Sequence, residues 1–435
     1  MTTRRSRATG SALVALTLLA APAVAAAQSE PPQQGSVGSV RASITDVSQV
    51  LSRDPTSAFR LRATFVNESP APQARVRWRL RIAPPVTTRV GLTAPFDERG
   101  ESTVLWHDDT DVIDVLGPGE RRDVLLYLRL DELADFPAPD EPAVFPVRFE
   151  VTHRIANTLA TADTFLIWNP APQPTLRIGW LVPITEPPAR VLADDGSVAI
   201  RGDSLEQSVS PGGRLDSVLT ALDRGDRIAG SPVPVTLAVD AETVESVTAL
   251  AAGSSRVAAD GSGPRSQRIG SPAAATWLSR LKRRAALHPV IALPYADADI
   301  VALVRADLSA EMTAALQQGR TRLDALLGIT SRTDIAWPVG EVADAATTNQ
   351  LADNAVSAVI LDRLAVRGAG GAGAGTSTAA SDLDAVGRRI TAIVPDAPIT
   401  SLARDVLSSG TGFILARHRL LAETAVIQQQ RPGVL

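Results

Sequence analysis

A chain of 435 residues with 45% apolar side chains can bury more than one core, and its length favours two or three domains. A net charge of −4 with no concentrated basic stripe argues against nucleic acid as a partner. The absence of cysteine excludes disulfides, thiolate metal sites and cysteine nucleophiles together. Positive charge is almost entirely arginine, with Lys282 the sole lysine.

The N-terminus reads as a secretory signal peptide over 1–27. Arg4, Arg5 and Arg7 form a basic start, 12–21 is apolar, and Ala25-Ala26-Ala27 offers small residues at a cleavage point before Gln28. An uncleaved anchor is the competing reading, but the apolar run is short and broken at Pro22. Secretion, or an extracytoplasmic place at the cell envelope, follows. Residues 28–39, rich in Pro, Gln, Gly and Ser, are expected to form a flexible leader. No later apolar run is long enough to span a membrane in the mature chain as given.

From 40 to 168 the apolar period is two. Phe59, Leu61, Ala63 and Phe65 alternate with Arg60, Arg62 and Thr64, and Val76, Trp78, Leu80 and Ile82 alternate with Arg75, Arg77, Arg79 and Arg81. Each run puts its apolar side chains on one face, as a half-buried antiparallel strand does. Further strands are predicted at 102–106, 111–116, 123–130, 145–152 and 158–167. Short strands separated by turn signals, with no helical period, predict an immunoglobulin-like β-sandwich. The outward arginines at 75–81 could grip an anionic polymer or simply guard a solvated sheet face. Trp106-His107-Asp108-Asp109 with His153 lacks the spacing of a metal site. Asn67-Glu68-Ser69 matches a glycosylation acceptor.

Residues 169–174 form a proline-rich hinge. Over 175–435 short apolar runs alternate with helical patterns, at 176–184, 233–239, 289–293, 334–338, 356–361 and 389–394. This demands a mostly parallel sheet and predicts a (β/α)7-type barrel, incomplete at its C-terminal end. Loops near 254–271 and 368–380, rich in Gly, Ser and Ala, are expected to be disordered. A closing helix is predicted at 412–428.

Glu186, Asp240, Asp297, Glu341, Asp362 and Asp396 each follow a strand end, so a barrel would gather them on one rim. Asp240, Asp297 and Glu341 are the catalytic candidates, because two carboxylates at suitable separation can hydrolyse a glycoside. Trp180, Tyr295, Asp299 and Trp337 are the binding candidates, since aromatic rings stack on sugar faces and carboxylates accept from hydroxyls. The plainer account is that aspartates after strands cap the next helix. No metal site and no cofactor is expected.

Gly179-Trp180-Leu181-Val182-Pro183, Gly213-Arg214-Leu215, Leu237-Ala238-Val239-Asp240, Leu293-Pro294-Tyr295-Ala296-Asp297-Ala298-Asp299 and Ala336-Trp337-Pro338 give the chain a wider likeness. It resembles an uncharacterised family of actinobacterial secreted envelope proteins, commonly encoded beside the lipid II flippase. Members of that family usually run on to a C-terminal transmembrane helix, and the given sequence stops where a seventh strand would be expected, so a truncated product or partial chain with an open barrel edge is expected. The second half also looks like the barrels of polysaccharide deacetylases and related glycosidases, at fold level only. Deacetylase chemistry needs an Asp-Asp pair and paired histidines. Here the first strand ends in Pro183-Ile184-Thr185-Glu186-Pro187, and His107, His153, His288 and His418 stand far apart.

The resemblance and the residues together favour a non-catalytic protein near peptidoglycan assembly, binding cell-wall glycan or scaffolding an envelope protein. The alternatives are a metal-independent glycoside hydrolase, using Asp240 with Asp297 or Glu341, and a structural partner of a membrane flippase.

Overall fold

The computed structural model describes residues 35–36 and 40–430, apart from 49, 55–56, 94–95, 97–105, 130–139, 154–156, 172–175, 193–196, 367–378, 386 and 409–412. The signal-peptide segment, most of the leader and most of the 368–380 loop lie outside the described residues.

The first half contains β1 (Gly35–Ser36), β2 (Val40–Val47), β3 (Ala58–Asn67), β4 (Gln73–Ile82), β5 (Trp106–Leu116), β6 (Arg121–Arg129), β7 (Ala143–His153) and β8 (Asn157–Trp168). They form two antiparallel sheets, one ordered β1-β8-β7-β4-β5 and the other β2-β3-β6. The alternation explains both layers. Phe59, Leu61, Ala63 and Phe65 of β3 and Val76, Leu80 and Ile82 of β4 are at most 1% exposed, facing one shared core. Trp78 stacks on Phe149 with ring centroids 5.9 Å apart.

The arginines of β4 do not form a free basic comb. Arg79 and Arg81 both pair with the buried Glu150 of β7, and Arg148 pairs with Asp163 of β8 at 2.7 Å. Asn67 is fully buried, and its side-chain amide donates to the carbonyls of Ala71, Leu116 and Gly117. It staples a turn and offers no accessible nitrogen for glycosylation. The predicted breaks around 106–111 are absent, because β5 runs unbroken from Trp106 to Leu116. The side chains of 106–112 lie outside the described residues.

The second half contains β9 (Trp180–Ile184), β10 (Arg190–Leu192), β11 (Val198–Arg201), α1 (Ser204–Val209), α2 (Arg214–Ala229), β12 (Val235–Val239), α3 (Ala241–Ala252), β13 (Ser254–Val257), β14 (Ser266–Arg268), α4 (Pro272–Leu287) and β15 (Val290–Ala292). There follow α5 (Ile300–Arg305), α6 (Ser309–Leu327), β16 (Ile335–Ala336), α7 (Ala345–Asp353), β17 (Ala358–Ile360), β18 (Ala380–Ala385), β19 (Arg388–Ile393), α8 (Ala397–Ser408) and α9 (Phe413–Gln429).

Parallel strands β9, β12 and β15 make one sheet, and β16, β17 and β19 run parallel in another. A parallel bridge between Ile291 and Arg332 links the two. The expected (β/α)7-type barrel is corrected on two points. Among the described residues no pairing joins β9 to β19, and β18, antiparallel to β19, ends the second sheet instead. Closing a barrel needs tilted, staggered strands all round, and here several strands span only two or three residues. The chain after β19 also leaves the sheet, since α9 packs on the sandwich.

The segment 254–271 is not the disordered loop its composition suggests. β13 and β14 belong to a small sheet ordered β10-β11-β13-β14. Arg256 is 5% exposed and donates to the Gly202 carbonyl and to Glu206. A polar, Ser-rich strand forms because its one long side chain is buried with partners.

α9 is apolar on more than one side, as a helix buried along much of its surface must be. Leu415 enters the sandwich core, while Ala422 and Val426 pack on Val144, Phe165 and Ile167 on that sheet's outer face. Thr164 Oγ1 and His418 Nδ1 share a buried hydrogen bond of 2.8 Å. Arg89 holds Asp396 through two bonds of 2.6 and 2.7 Å and Glu423 through one of 2.6 Å. Arg419 also binds Glu423 and donates to the Leu92 carbonyl. The last helix therefore completes the first domain.

Candidate functional site

The C-terminal ends of β9, β12 and β15 bring Thr185, Asp240 and the 293–297 turn together. Asp240 follows the buried Leu237-Ala238-Val239 and is itself 0% exposed. Its carboxylate accepts from the backbone N–H groups of Glu242 at 3.1 Å, Thr243 at 2.9 Å and Ala296 at 2.9 Å, and from Thr243 Oγ1 at 2.9 Å. It is the N-cap of α3 and also the anchor of the turn after β15. Burial pushes its carboxyl above the usual range, opposed by those hydrogen bonds.

That turn is strained. Ala296 and Asp297 both have positive φ, at 60° and 49°, a conformation unfavourable for residues with a Cβ. Asp240 holds it from one side and α6 from the other. Gly319 lies so close that a Cβ there would stand 2.1 Å from the Leu293 carbonyl oxygen. Tyr295 locks the turn further, since its hydroxyl donates to Glu245 at 2.8 Å and accepts from Arg190 at 3.2 Å. The Arg322 guanidinium sits 5.0 Å from the centre of the Tyr295 ring. Burial and the neighbouring Glu245 push the Tyr295 phenol up to about 12.

Asp297 is half-buried, and among the described residues its carboxylate accepts one weak hydrogen bond, from Thr185 Oγ1 at 3.5 Å. Burial first, then the negative charge of Asp240, raise its carboxyl. Asp240 and Asp297 are thus brought into electrostatic contact, as the strand-end pattern suggests.

The remaining candidates do not join them. Asp299 caps the six-residue α5, accepting from Val301 and Ala302 at 3.0 Å, beside a shallow depression of ≈ 400 Å³. Glu186 binds Ser208 and Arg214. Asp396 reaches across to Arg89 of the sandwich. Glu341, in the left-handed region at φ 57°, accepts through its backbone carbonyl from Asp362 N at 2.7 Å, linking two loops. Trp180 is half-buried on the helix-facing side of the sheet. Trp337 is half-buried on the opposite face, with Leu181, Ala238, Ile291, Leu293 and Ile335.

The sequence reading missed Glu242, Glu245, Thr243 and Thr185. Glu242 is 3% exposed and receives the N–H groups of Ala189 and Arg190 and the Ser246 hydroxyl. The run Asp240-Ala241-Glu242-Thr243 carries the signal, an aspartate followed by residues whose side chains serve a helix N-terminus. Among the described residues no group of three or more His, Asp or Glu is placed to hold a metal ion. Among them, too, no helix is long and apolar enough to cross a membrane.

Fold and site define a two-part protein, an antiparallel sandwich completed by the last helix and an open α/β sheet whose strand-end carboxylates hold turns and helices. The chain belongs to a family of unknown function, DUF6049, whose pattern matches residues 4–434. A comparison with curated proteins finds no match. Among solved structures, a CARDB domain of PF1109 from Pyrococcus furiosus is similar at 10% identity and TM-score 0.20, over 30% of this chain and 94% of that domain. A 4-α-glucanotransferase from Thermococcus litoralis is similar at 12% identity and TM-score 0.34, over 52% of this chain and 29% of the enzyme. The chain thus spans less than a third of that enzyme, and likenesses this distant carry no functional argument.

Proposed function

We propose that this is a secreted, envelope-associated protein that binds cell-wall glycan, or scaffolds an envelope partner there, without turning a substrate over. The supporting observation is the engagement of Asp240. A two-carboxylate hydrolase needs both groups facing an open cleft, roughly 5–9.5 Å apart. Asp240 is 0% exposed and its oxygens already receive four donors. Glu186, Asp299 and Asp396 are likewise committed to ion pairs or a cap. What remains for a ligand is the sheet face carrying Trp337, together with the half-exposed Asp297 and Glu341, whose carboxylates form no ion pair among the described residues. An indole on the sheet face and a carboxylate at the strand ends suit an uncharged sugar, whose C–H face packs on a ring while its hydroxyls donate to an acid.

Sedimentation of the full chain with insoluble peptidoglycan tests this reading. The wild type is expected to pellet with the glycan, and Trp337→Ala and Asp297→Ala are expected to bind more weakly. A wild type that stays in the supernatant would remove the glycan contact.

A further inference from the structure

The two outer faces of the sandwich differ. On the five-stranded sheet, Arg79, Arg81 and Arg148 are paired and α9 covers Val144, Phe165 and Ile167. The three-stranded sheet carries the opposite condition. In the β3–β6 register Arg60 lies opposite Tyr127, and Arg62 opposite Leu125. Leu125 is 64% exposed and Tyr127 56%, and both arginines are exposed. Neither guanidinium has a hydrogen bond or ion pair among the described residues. The Asp123 carboxyl is lowered by its bonds from Thr64 and Arg121 and, to a lesser degree, by the charge of Arg62, with which it forms no ion pair. Asp123 receives Thr64 Oγ1 at 2.6 Å and Arg121 at 3.0 Å, and Glu68 is bound to Arg41. Asp46 faces Arg62 in the β2–β3 register but forms no ion pair with it.

Four exposed side chains on adjacent strands thus share one sheet face, two cations without ion pairs beside a phenol ring and a leucine. Neighbouring strands are about 4.8 Å apart and alternate residues about 6.8 Å apart, so the platform matches an extended chain better than a compact ligand. We propose that it binds an anionic polysaccharide strand, one sugar ring stacking on Tyr127 while carboxylate or phosphate groups of the polymer pair with Arg60 and Arg62. Guanidinium forks suit such oxyanions, and unpaired ones retain their full donor capacity. A peptide would instead add along the β6 edge through backbone bonds and draw little on the Tyr127 ring. The inference deepens the glycan-binding reading by naming an acidic glycan and a second contact surface, remote from Trp337.

Affinity electrophoresis of the full chain through gels containing polygalacturonate, with dextran as the neutral counterpart, tests it. The wild type is expected to be retarded by the polyuronate and not by dextran. Arg60→Gln with Arg62→Gln is expected to weaken retardation about tenfold, and Tyr127→Ala severalfold, while Tyr127→Phe keeps the ring and the binding. Arg224→Gln with Arg227→Gln, an equal charge change on the exposed face of α2, is expected to leave binding unchanged. All these side chains are exposed, so unaltered thermal melts will confirm folding. Equal loss in the α2 variant, indifference to Tyr127→Ala, or displacement by polyglutamate as readily as by polygalacturonate would overturn the proposal. So would loss in Trp337→Ala with the Tyr127 and Arg60/Arg62 variants unaffected, an outcome that leaves the general glycan reading standing.

Discussion

Deleting residues 413–435 is expected to destabilise the β-sandwich severely, although the sandwich's last strand ends at Trp168. α9 contributes Leu415 to the inter-sheet core and covers Val144, Phe165 and Ile167 with Ala422 and Val426. Burying each large apolar side chain is worth about 1.5–3 kcal/mol, so losing the helix removes about 5 kcal/mol or more. Domains of this kind commonly have only about 5–15 kcal/mol in total. A narrower variant isolates the electrostatic part. Arg89→Ala removes a partner from Glu423, whose side chain is 2% exposed, and from Asp396. Stranding a buried carboxylate costs about 3 kcal/mol, moderated here because Arg419 still binds Glu423. Denaturant unfolding followed by tryptophan fluorescence reads both, since Trp78 and Trp168 sit in the affected core. An unchanged midpoint in the deletion would show that α9 does not complete the sandwich.

The second large effect is expected at Asp240. Replacing it with Ala leaves the buried N–H groups of Glu242, Thr243 and Ala296 without an acceptor. Each such loss costs about 1–3 kcal/mol, so Asp240→Ala should lose about 3–5 kcal/mol and release the strained 294–297 turn. Thermal unfolding, with protease cleavage near Tyr295 as a local readout, checks this.

The neighbouring Asp297 has a pH signature. Its folded-state pKa lies above the ordinary 3.8, through burial and then the charge of Asp240. The folded state therefore binds the proton more tightly, and the stability linked to this group is full below the unfolded value. It is lost as pH rises through the folded value. Asp297→Asn should accordingly stabilise the protein at neutral pH, with the gain shrinking as pH falls toward 3.8. A gain that persists unchanged under acid conditions would contradict the coupling.

Much of this fold was legible locally. Alternation in 59–65 and 76–82 marked β3 and β4 with their inward faces correctly, because a period of two leaves one solution for a half-buried strand. The helix predicted at 412–428 is α9. Its docking site was not legible, since its apolar positions lie on several sides and its partners, Thr164 and Arg89, are remote in sequence. Barrel closure failed for a related reason. Short apolar runs specify parallel strands but not whether the first and last will pair.

At the site, Asp240, Asp299 and Asp396 cap the helices that follow them, as the plainer sequence reading has it, but their further partners were not legible. Asp240 and Asp396 read alike in sequence, each followed by a helix. Both cap that helix, but Asp240 also seizes the N–H of Ala296, whereas Asp396 also grips Arg89. Such differences depend on which segment arrives from far away. The composition of 254–271 suggested disorder because burial of a single arginine, Arg256, is invisible to it.

On the proposed reading, Glu186, Asp240, Asp299 and Asp396 hold the structure and no strand-end carboxylate performs hydrolysis. The most direct measurement incubates the full chain with purified peptidoglycan and records bound protein and released reducing ends in the same sample. Protein is expected to be retained on the glycan while no sugar is released above the level of a protein-free control. Sustained release that disappears in Asp297→Asn, with that variant still folded, would contradict it.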